Sequence, residues 1–136
     1  KTQNVNLASM PRPNLTDWIG LHFSGIVVGR EFMRDDKLSN PEGEMLIHDV
    51  SEASIGSVLG IPAYRYIVTV DGISFKSVKF LCTYLKRAES EDRRLRLVTR
   101  DRDWDYMSTS KYNLYEVKID GVKLVGPKLE KAAACL

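Results

Sequence analysis

Two histidines, two cysteines and a scatter of serines and carboxylates are the residues whose side chains could carry chemistry. Nucleophilic serine catalysis needs a base hydrogen-bonded to the nucleophile and a preorganised oxyanion hole. The only imidazoles are His22 and His48, in Leu21-His22-Phe23 and Met45-Leu46-Ile47-His48-Asp49-Val50. Apolar alternation around each puts it on a predicted strand, where a solvent-facing or structurally bonded histidine is the ordinary outcome. Neither a Gly-Asn/Asp-Ser-Gly-Gly loop nor a Gly-x-Ser-x-Gly elbow occurs. The histidines and cysteines are too scattered for a zinc spacing. Gly25-Ile26-Val27-Val28-Gly29 lacks the Lys-Ser/Thr pair of a phosphate loop. Asp35-Asp36 and the acidic run at 89–92 sit in polar segments and read as solubilising. The expectation is a non-catalytic chain with no metal and no cofactor.

The cysteines have a plain reading. Cys82 lies inside an apolar helical pattern, where a thiol behaves as a small hydrophobe. Cys135 stands next to the last residue. No disulfide framework is suggested, which leans toward a reducing compartment, whether cytoplasm, nucleus or organelle matrix.

The 136 residues suffice for one domain with a real core, and two would be a squeeze. Apolar and charged fractions of 43% and 28% are ordinary for a globular protein. A net charge of +2 implies no general attraction to nucleic acid. The basic residues between Lys86 and Arg102 are largely neutralised by Glu89, Glu91, Asp92, Asp101, Asp103 and Asp105. No run approaches a membrane span, and no secretory signal is visible. Lys1 in place of Met points to a fragment or processed form, and the final residues could be partly vector-derived.

The elements that must position any site follow from pattern. Residues 1–15 are polar with Pro11 and Pro13, an arm or linker. Ile19, Leu21 and Phe23 alternate along a strand that Ser24-Gly25 breaks; 26–29 is its continuation or a second strand. Residues 34–43 form a loop, and 45–50 the next strand. Ser51 is the expected N-cap of a short helix to Leu59, stopped by Gly60. A strand over 65–70 turns at Asp71-Gly72 into 73–75. Ser77 caps a helix over 78–88, whose Val78, Leu81, Cys82 and Leu85 share one face. A strand follows at 95–99. Beyond Asp101, a strand over 112–119 turns at Asp120-Gly121 into 122–125, an expected second hairpin.

This order resembles a PDZ domain, most closely the type found in the HtrA/Deg (Do-like) serine protease family. Ile19-Gly20-Leu21 takes the place of that family's first hydrophobic-Gly-hydrophobic strand. Gly43 and Met45-Leu46-Ile47 with Val50 take the second, Leu59-Gly60-Ile61 matches Ala-Gly-Leu, and Val70-Asp71-Gly72 matches Val-Asn-Gly. The landmarks agree without insertion from Val50 to Gly72, and the resemblance covers about four-fifths of the chain. It departs at Tyr64-Arg65, where the family has Gly-Asp, and at Ile55-Gly56 in place of Pro-Ala. The resemblance implies an α+β fold: a small, partly open β-barrel or sandwich of five to six strands with two helices, plus the extra C-terminal hairpin. The divisions would be an arm at 1–15, the PDZ-like domain at 16–101, the hairpin extension at 102–127 and a tail at 128–136.

A PDZ domain binds an extended chain by adding it to a sheet edge. The resemblance places the carboxylate-binding loop at Asp17-Trp18-Ile19-Gly20. The groove would run along Ile19, Leu21, His22 and Phe23, with Val78, Cys82 and Leu85 as its helical wall. Its ligands would be hydrophobic C-terminal or extended peptides, and its neighbours an attached protease or further PDZ domains, with no nucleic acid and no membrane. The chain would then be a regulatory, protein-quality-control module whose catalytic domain lies elsewhere. A second reading keeps the fold but closes the groove: a degenerate structural domain for packing or oligomerisation, with Trp104, Tyr106, Tyr112 and Tyr115 as its contact surface.

Overall fold

The Ser24-Gly25 pair takes φ of 54° and 82°, the positive values that a two-residue hairpin turn demands. It joins β1 (Gly20–Phe23) to β2 (Ile26–Gly29) as antiparallel neighbours, with Phe23 opposite Ile26. The chain is therefore a hairpin here, not one bulged strand. These assignments come from a computed structural model that describes residues 18–30, 45–101, 111–126 and 135. The 34–43 loop, the 1–15 arm and most of the 128–136 tail lie outside the described residues.

β3 (Met45–Val50) falls where its apolar run predicts. The short helix does not begin at Ser51. Ala53 takes a φ of 58°, which interrupts any helix started there. α1 (Ile55–Val58) is capped by Ser54, whose side chain accepts from the Ser57 amide at 3.1 Å. Gly60 closes it with a φ of 78°. β4 (Tyr66–Val70) ends in the Asp71-Gly72 turn, where both φ values are positive. Only a single bridge, Val70 to Ile73, follows, so the strand expected at 73–75 does not form. Ser77 caps α2 (Val78–Ser90) as expected, accepting from the Phe80 amide at 3.3 Å. β5 (Arg94–Arg100), β6 (Tyr112–Lys118) and β7 (Lys123–Val125) complete the order.

All seven strands belong to one antiparallel sheet in the order β6-β5-β4-β3-β2-β1-β7. The α+β composition with two helices stands, but the expected second hairpin does not. β6 pairs with β5 and β7 with β1, at opposite ends of the sheet order. The four residues 119–122 join them. That link reaches at most about 19 Å from β6 to β7 at 3.8 Å per Cα step. Six flat inter-strand spacings would need about 29 Å. The sheet must therefore curl until its two ends come near one another, without pairing.

That curl encloses the core. Leu21, Phe23, Ile26, Val28, Ile47, Leu95, Leu97 and Val117 point inward, under the Leu81, Cys82, Leu85 and Ala88 face of α2. The β1–β2 turn fastens the corner: Ser24 N donates to Asp120 O at 2.7 Å, and Ser24 Oγ donates to Lys118 O. Among the described residues no helix is long and apolar enough to cross a membrane.

Candidate functional site

Both edges of β1 are occupied. β2 takes one side, with Leu21 opposite Val28. β7 takes the other, with Gly20 opposite Val125, Leu21 opposite Leu124 and His22 opposite Lys123. β7 therefore runs antiparallel to β1 and toward Trp18 and Ile19. α2 packs against both strands. Strand pleating turns Leu124 inward, 4% exposed, while Lys123 faces solvent. Gly126 then passes close to the backbone before β1: a Cβ there would lie 2.4 Å from the Trp18 carbonyl oxygen. At Cys135 the chain is back at α2, in a disulfide to Cys82 with the Cα atoms 5.5 Å apart.

This arrangement revises the expected groove. Leu21, Phe23, Cys82 and Leu85 are core residues, none more than 2% exposed. Val78 is half-buried against the same core. Of the expected lining, Ile19 is the side chain left most open, at 36%. The Trp18 side chain is engaged by the protein itself. Its ring lies over Gly20 and Gly29, where any Cβ would come within 2.5 Å of the indole. Its Nε1–H donates to Arg30 O at 3.1 Å, and it meets His48 edge-on with centroids 5.0 Å apart. The two glycines give this indole its seat. Cys82 is buried, as its apolar pattern predicts, but it is bonded to Cys135 where the cysteine usage suggests no disulfide framework. A single pair separated by 53 positions leaves no spacing signature to read.

Both histidines bond to the backbone. His22 Nδ1 lies 3.1 Å from Gly121 O and His48 Nε2 lies 3.0 Å from Arg30 O, each as the donor in the matching tautomer. Among the described residues no three His, Cys, Asp or Glu side chains gather as a metal site.

α2 is positioned by a polar node. Asp71 Oδ2 accepts from Tyr84 OH at 2.8 Å and from Arg93 at 3.0 Å, and Oδ1 accepts from the Arg96 amide at 2.8 Å. The Asp71-Gly72 turn is thereby tied at once to α2 and β5. Burial pushes the Asp71 carboxyl up, but those three donors outweigh it and hold the group below its ordinary value. The hydrogen bond to Asp71, with some burial, raises the Tyr84 hydroxyl. Sequence reasoning found the turn and missed the node, because Tyr84 and Arg93 carry no local mark of their partner.

The Tyr64-Arg65 departure also resolves. Tyr64 adopts a φ of 67°, backbone that favours glycine, with its side chain 62% exposed. Arg65 reaches across the sheet, Nε to Thr99 Oγ1 and a terminal nitrogen to Lys111 O, both at 2.9 Å.

A second surface lies at the far end of the sheet order. A shallow cavity of about 360 Å³ opens between α1 and β6, lined in part by Val58, Leu59, Arg94, Glu116 and Lys118. Tyr112 and Leu114 stand exposed on β6. Trp104 and Tyr106 lie outside the described residues.

No protein-family model, no curated protein and no solved structure matches this chain.

Proposed function

We propose that this chain is a PDZ-like interaction domain that takes extended apolar peptides by strand addition at β1, a place its own β7 fills in this structure. The observation that carries the reading is the seat of β7. It lies antiparallel on β1, beside α2, heading toward 18–20, with an apolar side chain buried opposite Leu21. Those are the features by which strand addition recognises a guest: main-chain ladder bonds for affinity and a pocket for alternate side chains. Because the chain continues past Gly126 to Cys135, the site suits an internal extended segment, and a terminal carboxylate is dispensable. A regulatory place beside an HtrA-like protease belongs to the same proposal and rests on the resemblance alone.

The test is binding of short apolar peptides to the full chain carrying Leu124→Asp, which puts a charge where β7 must bury leucine. We expect micromolar binding to this variant, alike within about threefold for free-acid and amidated peptides, and far weaker binding to the parent. The burial of Leu124 and the disulfide downstream favour a second reading, a structural domain whose groove is permanently filled. If the folded variant binds no apolar peptide, that second reading replaces the first.

A further inference from the structure

We infer that β7 is an exchangeable occupant of the β1–α2 groove and that the Cys82–Cys135 disulfide is the latch that holds it there. This inference rests on reading β1 as a strand-addition edge. Two attachments restrain β7. Upstream, the link 119–122 ties it to β6. Downstream, the disulfide ties the same segment to the helix that walls the groove. A tethered occupant competes with any external strand at its effective concentration, which falls when a tether is cut. Three residues, Lys123–Val125, form the whole ladder on that side of β1, so few main-chain bonds oppose exchange once the latch opens.

The two sulfurs differ in access. Cys82 is fully buried, whereas Cys135 is half-buried at the surface of the core. A dithiol reductant therefore meets Cys135 first. Its thiolate bonds to the Cys135 sulfur, the Cys82–Cys135 bond breaks, and Cys82 leaves as thiolate. The reductant's second thiolate then displaces Cys135 and closes the reductant's own disulfide. Two electrons pass from the dithiol to the protein, and each released thiolate takes up a proton according to its pKa. Reoxidation reverses the steps and reseats the segment.

The experiment uses the full chain and a fluorescently labelled peptide, Gly-Val-Lys-Leu-Val-Gly, copied from residues 121–126. Three forms are compared: oxidised, reduced with dithiothreitol, and Cys135→Ser without reductant. A fourth, Gly126→Val, cannot seat β7, because its Cβ would collide with the Trp18 carbonyl. Circular dichroism checks that each is folded. We expect the reduced and Cys135→Ser forms to bind at least tenfold more tightly than the oxidised form, and Gly126→Val to bind in either redox state. Hydrogen exchange supplies a second readout: amides of β1 and β7 should lose protection on reduction while β4 and β5 keep theirs. Equal binding by the oxidised, reduced and Cys135→Ser forms, with Gly126→Val binding, overturns the latch and leaves the peptide-binding function standing. No binding by any form, Gly126→Val included, overturns the function and the latch with it.

Discussion

Leu124 on β7 lies directly opposite Leu21 on β1, and both are buried, at 4% and 0% exposure. Their contact welds a strand from late in the chain to one from its beginning and closes the side of the core beneath α2. Replacing a buried leucine by alanine removes its transfer energy and leaves part of a cavity, together about 2–4 kcal/mol. Leu124→Ala should lower unfolding stability by that amount in urea titrations. Lys123→Ala, one residue earlier and facing solvent, should change it by less than about 0.5 kcal/mol. A loss below 1 kcal/mol for Leu124→Ala would contradict the pairing.

Tyr64 occupies left-handed backbone without side-chain burial to compensate for it. That conformation costs a non-glycine residue about 1–2 kcal/mol. Glycine relieves the strain but gives back about 0.5–1 kcal/mol through its freer unfolded state. Tyr64→Gly should therefore raise stability by about 0.5–1 kcal/mol, readable as a higher urea midpoint with an unchanged slope. Tyr64→Val, β-branched and intolerant of positive φ, should move it the other way.

The Asp71–Tyr84 pair should limit stability at both ends of the pH scale. Asp71 is held below its ordinary 3.8, so the folded state favours its carboxylate. That contribution is present above about pH 4 and fades as acid protonates the group. Tyr84 is raised above its ordinary 10.0, so the folded state favours its hydroxyl. That contribution is present below about pH 10 and is lost as pH rises through the folded value. Asp71→Asn keeps a residue tolerant of the positive φ at this turn. It should cost about 1–2 kcal/mol at neutral pH and flatten both limbs of the stability profile. Limbs unchanged in Asp71→Asn would show that other groups set them.

Much of the fold was legible because it is written in local chemistry. Met45–Val50 is a bounded apolar run, Ser77 stands where a cap must, and Gly60 and Gly72 take the positive φ that glycine signals. The short helix starts three residues later than the sequence predicts, since Ser51 and Ser54 are equally good caps and only the backbone of Ala53 decides between them. The site was less legible. Strand pattern reveals which side chains face inward but not which edge the strand will join. The run Val122-Lys123-Leu124-Val125 therefore reads as the second arm of a hairpin, whereas its Lys123–Val125 part is the partner of β1. The Cys82–Cys135 bond and the Asp71 node had no local signal, because each joins groups that only the folded chain brings together.

The separation between β1 and β7 also has a consequence in time. His22 and Gly121, bonded at the corner where the two strands meet, are 99 positions apart. At about 5–20 residues per second, a ribosome would take on the order of 5–20 s to make the stretch between them. During that interval the residues of β1 and β2 have been made while those of β7 have not. Each new molecule would pass through a phase with an unfilled sheet edge, open to chaperones, to sister chains or to whichever strand arrives first.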